Sequence, residues 1–285
     1  MASEDNELVT DFYPHFRIYK NGRVERFYHL QNCFYVPPTH EPDSNTGVYS
    51  KDVAINSHVS ARLFLPNVTI NTNEKLPIIV FYHGGALVLG SAFFNKVYRF
   101  LNLLVSESNS IAVAVEYRLT PEHDVYEDCW TALQWVASSQ DSWLTSHGDF
   151  DKVFLLGESA GANIAFNMII RADREKLNGD VKINGSILAC PYFLIPHENV
   201  DVENLLAYKI WREIICPNLE SPFDCPMINP LCKTSPNLSV KKSGWNGEFV
   251  LHVVEGESHS FLIDNLEAEK ARDSIKRFAS FIQSK

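Results

Sequence analysis

The chain has 285 residues, room for one large domain or two small ones, and with 45% apolar and 12% aromatic residues it can bury a sizeable core, which argues against disorder. Basic residues number 25 against 35 acidic ones, a net charge of −10, which speaks against nucleic acid or an anionic membrane as a partner. The opening Met1-Ala-Ser-Glu-Asp-Asn-Glu7 is acidic and lacks the basic-then-apolar order of a secretory leader, and no apolar run approaches the length that crosses a bilayer. Six cysteines (Cys33, Cys129, Cys190, Cys216, Cys225 and Cys232) show no C-x-x-C spacing and are expected to be reduced thiols in packing positions. The expectation is a soluble, cytoplasmic, globular protein.

Residues 1–50 read as an N-terminal arm. Phe16 to Lys20 alternates, Asn21-Gly22 is a strong hairpin signal, and Arg23 to Phe27 returns. Lys51 to Ile55 and Val59 to Leu65 give two more short strands. Leu76 to His83 is continuously apolar, as in a strand buried on both faces. Strands and helices then alternate: Ser91–Leu104 helix, Ile111–Glu116 strand, Tyr126–Ser138 helix, Val153–Leu156 strand, Ala162–Ala172 helix, Ile183–Cys190 strand. This rhythm predicts an α/β fold with a mostly parallel, doubly wound sheet. Residues 192–236 break it. With Pro191 at their edge they hold seven prolines around the apolar stretch Leu205–Ile215, which predicts an inserted helical cap. Glu248–Val254 is expected to resume the sheet and Leu266–Ile282 to close the single domain as an amphipathic helix.

Two stretches carry chemistry. Gly157-Glu158-Ser159-Ala160-Gly161 lies between an apolar strand and a helix, the G-x-S-x-G pattern that lifts a serine hydroxyl clear of a sheet on a strained turn. Upstream, Tyr82-His83-Gly84-Gly85-Ala86 follows the buried strand at the place where this architecture supplies backbone N–H donors for an oxyanion. The oxyanion hole is therefore assigned to Gly84, Gly85 and Ala160, with His83 shaping the loop. Among ten histidines, His259 follows the last expected strand and precedes the last helix, where a general base belongs in the order serine, acid, histidine. Ser159 and His259 are the candidate catalytic residues. Their chemistry needs neither a metal nor a cofactor.

The set His83-Gly-Gly, Ala114-Val-Glu-Tyr-Arg-Leu-Thr-Pro-Glu-His123, Tyr126-Glu-Asp-Cys-Trp130, Gly157-Glu-Ser-Ala-Gly-Ala-Asn163 and Glu255-Gly-Glu-Ser-His259 resembles the plant carboxylesterases of the hormone-sensitive-lipase group of α/β-hydrolases. Further runs, such as Lys242-Ser-Gly-Trp-Asn-Gly-Glu248, are similar to the branch holding the alkaloid-pathway cyclases of the catharanthine and tabersonine synthase type. The resemblance implies an α/β-hydrolase fold and a small-molecule ester substrate. Three departures stand out. Ala86 replaces a family glycine, tolerably if its φ is negative. The stretch between His123 and Tyr126 is a few residues short.

The third departure is larger. Pro236-Asn-Leu-Ser-Val240 runs straight into Lys241, where the family places a strand, an aspartate loop and a helix, roughly thirty residues. The triad acid goes with them, and no other carboxylate takes its place in the sequence. Two origins stay open: a working protein that carries the segment, or a diverged, weakly active chain. Three activities stay open with them: a serine esterase of small apolar esters, an eliminase or cyclase on the same site, and a ligand-binding receptor related to the gibberellin receptors. Intact His259 speaks against the receptor and the absent acid speaks for it.

Overall fold

The computed structural model describes residues 7–39, 41–67, 74–138, 140–235 and 248–284. The N-terminal arm forms a three-stranded antiparallel sheet of β1 (Leu8–Phe12), β2 (Phe16–Tyr19) and β3 (Val24–Arg26). The β2–β3 hairpin turns at Asn21-Gly22, where Gly22 has φ +82° and the Asn21 side chain accepts from the Arg23 N–H. β1 is an addition to the expected pair.

The main sheet has six strands: β4 (Tyr49–Ala54), β5 (Ser60–Leu65), β6 (Leu76–Tyr82), β7 (Ile111–Glu116), β8 (Gly148–Glu158) and β9 (Ile183–Ala189), in the order β4-β5-β7-β6-β8-β9. β4, β5 and β7 pair antiparallel in sequence, whereas β7, β6, β8 and β9 run parallel. Helices α1 (Asn95–Ser108), α2 (Val125–Ala137), α3 (Ser142–His147) and α4 (Ala160–Glu175) connect them. After β9 come α5 (Leu206–Ile210), running on into a wider turn at Trp211–Ile215, then α6 (Phe261–Asp264) and α7 (Glu269–Gln283). α1 begins at Asn95, later than its apolar pattern begins. Glu116 accepts from the Ser91 hydroxyl and the Ala92 N–H, which fixes the preceding residues as a loop.

The period-2 geometry of the strands explains the continuous apolar runs. Along β6, Ile78, Val80 and Tyr82 face one core with α2, α4 and the segment after β9, while Ile79 and Phe81 face another with α1 and α7. The stretch after β9 packs on the α4 side: Tyr192, Tyr208, Trp211 and Ile228 share a core with Ala160 and Ile164. Ile210 also packs against Val88 and Leu89, just beyond the His83-Gly84-Gly85 loop.

Glu248–Val254 corrects the sequence reading. These residues form no strand, and Phe249, Val250, Leu251 and Val253 are between 68% and 79% exposed. An extended segment becomes a strand only when a neighbour takes its N–H and C=O groups, and none is beside it among the described residues. β9 thus ends the row with one edge unpaired among those residues. The Val240–Lys241 junction lies outside them.

Candidate active site

β8 delivers Ser159 to the carboxyl end of the parallel strands, and α4 starts at the next residue. Ser159 has φ 54° and ψ −115°, a strained conformation for a residue with a Cβ. Its surroundings impose it. A Cβ on Gly157 would lie 2.0 Å from the Gly161 carbonyl oxygen, and one on Gly161 would lie 1.9 Å from that of Tyr82. Only glycine fits either position, so the turn closes tightly and pushes the Ser159 hydroxyl outward. The Ser159 N–H is held by the Ala189 carbonyl at 2.9 Å, and its carbonyl accepts from Tyr192 N–H at 3.0 Å.

His259, one hundred residues further along, places Nε2 2.8 Å from Ser159 Oγ. Ser159 Oγ–H donates to Nε2 when the proton of the neutral ring is on Nδ1. Partial burial lowers the imidazole pKa, so the neutral, proton-accepting form dominates at pH 7. Among the described residues no carboxylate bonds to Nδ1. The loop is held by another route. Lys270 on α7 donates to the Glu255 carbonyl at 2.6 Å and pairs with Glu257 at 3.3 Å, which commits Glu257 to a cation and not to the histidine.

The loop after β6 runs beside this pair. His83 is buried, stacks on Tyr117 with ring centroids 4.1 Å apart, and donates from Nδ1 to the Gly84 carbonyl at 2.8 Å. Burial pushes its pKa down to about 4, so it stays neutral and shapes the loop. Gly85 has φ +117°, and a Cβ there would sit 2.2 Å from the Leu89 carbonyl oxygen. The Gly84 and Gly85 N–H groups donate to no backbone acceptor among the described residues, which leaves them available to a ligand. Ala86 has φ 53°, in the left-handed region, so the condition of a negative φ is not met. Arg26 of β3 supports the far end of the loop by donating to the Val88 carbonyl at 2.7 Å and to both carboxylate oxygens of Glu122.

Two contributors were not legible as such. Glu158, the variable residue of the G-x-S-x-G pattern, is 5% exposed, and one of its oxygens would lie 2.2 Å from a Cβ on Gly84. A side chain on Gly84 would therefore have to displace the Glu158 carboxyl. Burial raises the Glu158 pKa to about 8, and its Oε1 is buried without a partner among the described residues. Asn163, one turn into α4 and fully buried, accepts from Tyr126 Oη at 2.7 Å and donates to the Met227 and Tyr192 carbonyls at 2.6 and 3.1 Å. It ties the segment after β9 to the helix behind Ser159. The described residues hold no cluster of three or more His, Cys, Asp or Glu suited to a metal, and no helix among them is long and apolar enough to cross a membrane.

Known proteins resemble this chain in sequence and in fold. The profile of a family described as having the α/β hydrolase fold matches residues 79–245. A 2-hydroxyisoflavanone dehydratase from Glycine max is 40% identical, covering 97% of this chain and 99% of its own. Catharanthine synthase from Catharanthus roseus is 38% identical over 98% and 97% of the two chains. Probable carboxylesterase 1 from Arabidopsis thaliana is 37% identical over 98% of each. The first alignment runs to 321 residues where this chain has 285, so the relatives carry residues this chain lacks. Among solved structures, a hyperthermophilic esterase from Pyrobaculum calidifontis overlays with a TM-score of 0.64 at 23% identity, covering 87% of both chains, a likeness of fold. By motif, topology and sequence alike, the chain belongs to the α/β-hydrolase fold family.

Proposed function

We propose that the chain is a serine carboxylester hydrolase acting on small apolar esters. The reading is carried by one observation, the 2.8 Å contact between Ser159 Oγ and His259 Nε2 at a strained strand–helix turn. His259 takes the hydroxyl proton as Oγ attacks the ester carbonyl, then returns it to the leaving alcohol. The negative charge that develops on the carbonyl oxygen is met by the N–H groups of Gly84, Gly85 and Ala160. Losing one such donor costs on the order of 3 kcal/mol of barrier. Water, activated by the same imidazole, releases the acyl group. Residues 192–236 act as the cap that excludes bulk water and selects the acyl and alcohol groups.

A second reading has its own support. Relatives named for dehydration and for alkaloid synthesis are as similar as the esterases, and no described carboxylate orients His259. On this reading His259 abstracts a carbon-bound proton and the ester leaves as a carboxylate without an acyl-enzyme. A fluorophosphonate probe separates the two. The hydrolase reading expects one adduct, on the peptide holding Ser159, and His259→Ala should lower turnover of an activated acetate ester by several orders of magnitude with the melting temperature unchanged. A folded protein that forms no adduct overturns the hydrolase reading.

A further inference from the structure

The strand beside the candidate oxyanion loop brings a tyrosine to it. β7 pairs parallel with β6 in the register Tyr82 to Val115, so Tyr117, two residues further on, lies beside His83. Tyr117 is 2% exposed, and its ring stacks on the imidazole with centroids 4.1 Å apart and planes 8° from parallel. Its place is fixed from the next residue. The Arg118 N–H donates to Asp128 Oδ2 at 3.0 Å, and the guanidinium grips both carboxylate oxygens at 2.7 and 2.8 Å. The Tyr117 hydroxyl donates to the His83 carbonyl at 2.7 Å. Its oxygen also lies 3.1 Å from His83 Nδ1, whose N–H it shares with the Gly84 carbonyl.

We propose that the Tyr117 hydroxyl is the positioning group of the candidate oxyanion hole, holding the His83 carbonyl so that the Gly84 N–H points at the reacting ester. A peptide unit is planar, and in the trans form its C=O and N–H point in opposite directions. The bond between His83 and Gly84 is trans, so a donor that fixes the His83 carbonyl also fixes the direction of the Gly84 N–H. Glycine resists rotation of this unit less than any other residue would, so the hydrogen bond sets the direction. The next unit obeys the same rule: His83 Nδ1 holds the Gly84 carbonyl at 2.8 Å and thereby aims the Gly85 N–H. Tyr117 thus steers one donor itself and, through the ring it stacks on, steadies the group that steers the second. It acts through the backbone and touches no substrate. A hydroxyl that merely satisfied a buried carbonyl would contribute to stability and leave the rate of the chemical step alone.

The proposal rests on the hydrolase reading, and its test has one readout that needs no turnover. Tyr117→Phe deletes the hydroxyl and keeps the stacked ring. Isotope labelling of histidine carbonyl carbons and glycine amide nitrogens leaves two peptide bonds visible in a carbonyl–amide correlation spectrum, His83-Gly84 and His147-Gly148. In the variant the Gly84 amide signal should move, while that of Gly148, at the start of β8, stays and reports an intact fold. With an activated acetate ester, kcat should fall roughly 10- to 100-fold and KM should stay within about twofold of wild type. An unmoved Gly84 signal overturns the proposal. So does an unchanged kcat where the wild type turns over the ester, or a rise in KM that accounts for the whole loss. A wild type without ester turnover sinks the hydrolase reading, and the Gly84 signal then still decides whether Tyr117 aims the amide. Should Tyr117→Phe not fold, Arg118→Lys, which keeps the charge and gives up the two-pronged grip on Asp128, takes its place with the same readouts and the same refuting results.

Discussion

Replacing Glu158 by glutamine tests the electrostatics beneath the candidate oxyanion loop. The carboxyl is 5% exposed and burial lifts its pKa from 4.5 to about 8, so the folded state keeps its proton through neutral pH while the unfolded state does not. Between those values the folded chain binds more protons than the unfolded one, and stability falls as pH rises. The contribution is complete below pH 4.5 and is lost as pH climbs through about 8. For this shift the change between pH 5 and pH 8 is about 3 to 4 kcal/mol. Glutamine has the size of the protonated acid and no charge to lose, and any cost of its buried amide is the same at both pH values. Urea denaturation at pH 5 and pH 8 should therefore show wild type losing about 3 to 4 kcal/mol more than Glu158→Gln. Glu116, lifted to about 7 chiefly by burial, adds its own slope to both proteins and cancels in the comparison. Equal slopes in wild type and variant would refute the picture of a neutral acid under Gly84.

Two further substitutions probe neighbouring parts of the site. Ala86→Gly removes the strain of φ 53° and should stabilise the fold by about 1 kcal/mol, seen as a higher melting temperature; a fall would show that the Ala86 methyl packs for more than its backbone costs. Lys270→Met cuts the tether to Glu255 and Glu257, and should lower ester turnover by about tenfold with little change in melting temperature, since a misplaced base costs rate more than stability. Unchanged turnover would mean that the His259 loop holds its place without Lys270.

Much was legible in the sequence because its signals are local. Alternating strand and helix patterns placed β6 through β9 within a few residues, since burial on two faces leaves continuous apolar runs. Gly157, Ser159 and Gly161 announced the turn, and the reason is now visible in the 1.9 and 2.0 Å approaches that any Cβ would force. His259 was singled out by its place in chain order. What escaped depended on neighbours distant in sequence. Glu248–Val254 has the composition of a strand, yet strand formation is decided by a partner edge, and the described residues offer none. The Ser91–Phe94 stretch has helical spacing but is held as a loop by a carboxylate from β7.

The sequence by itself determined the α/β order, the strained serine and the histidine that could serve it, because glycine placement and hydrophobic period act over a few residues. Only the tertiary structure decided that Nε2 of His259 lies 2.8 Å from Ser159 Oγ and that Lys270 and not a described carboxylate steadies the loop. Distances, burial and protonation are properties of what folds against a residue, and nothing adjacent in the chain specifies them.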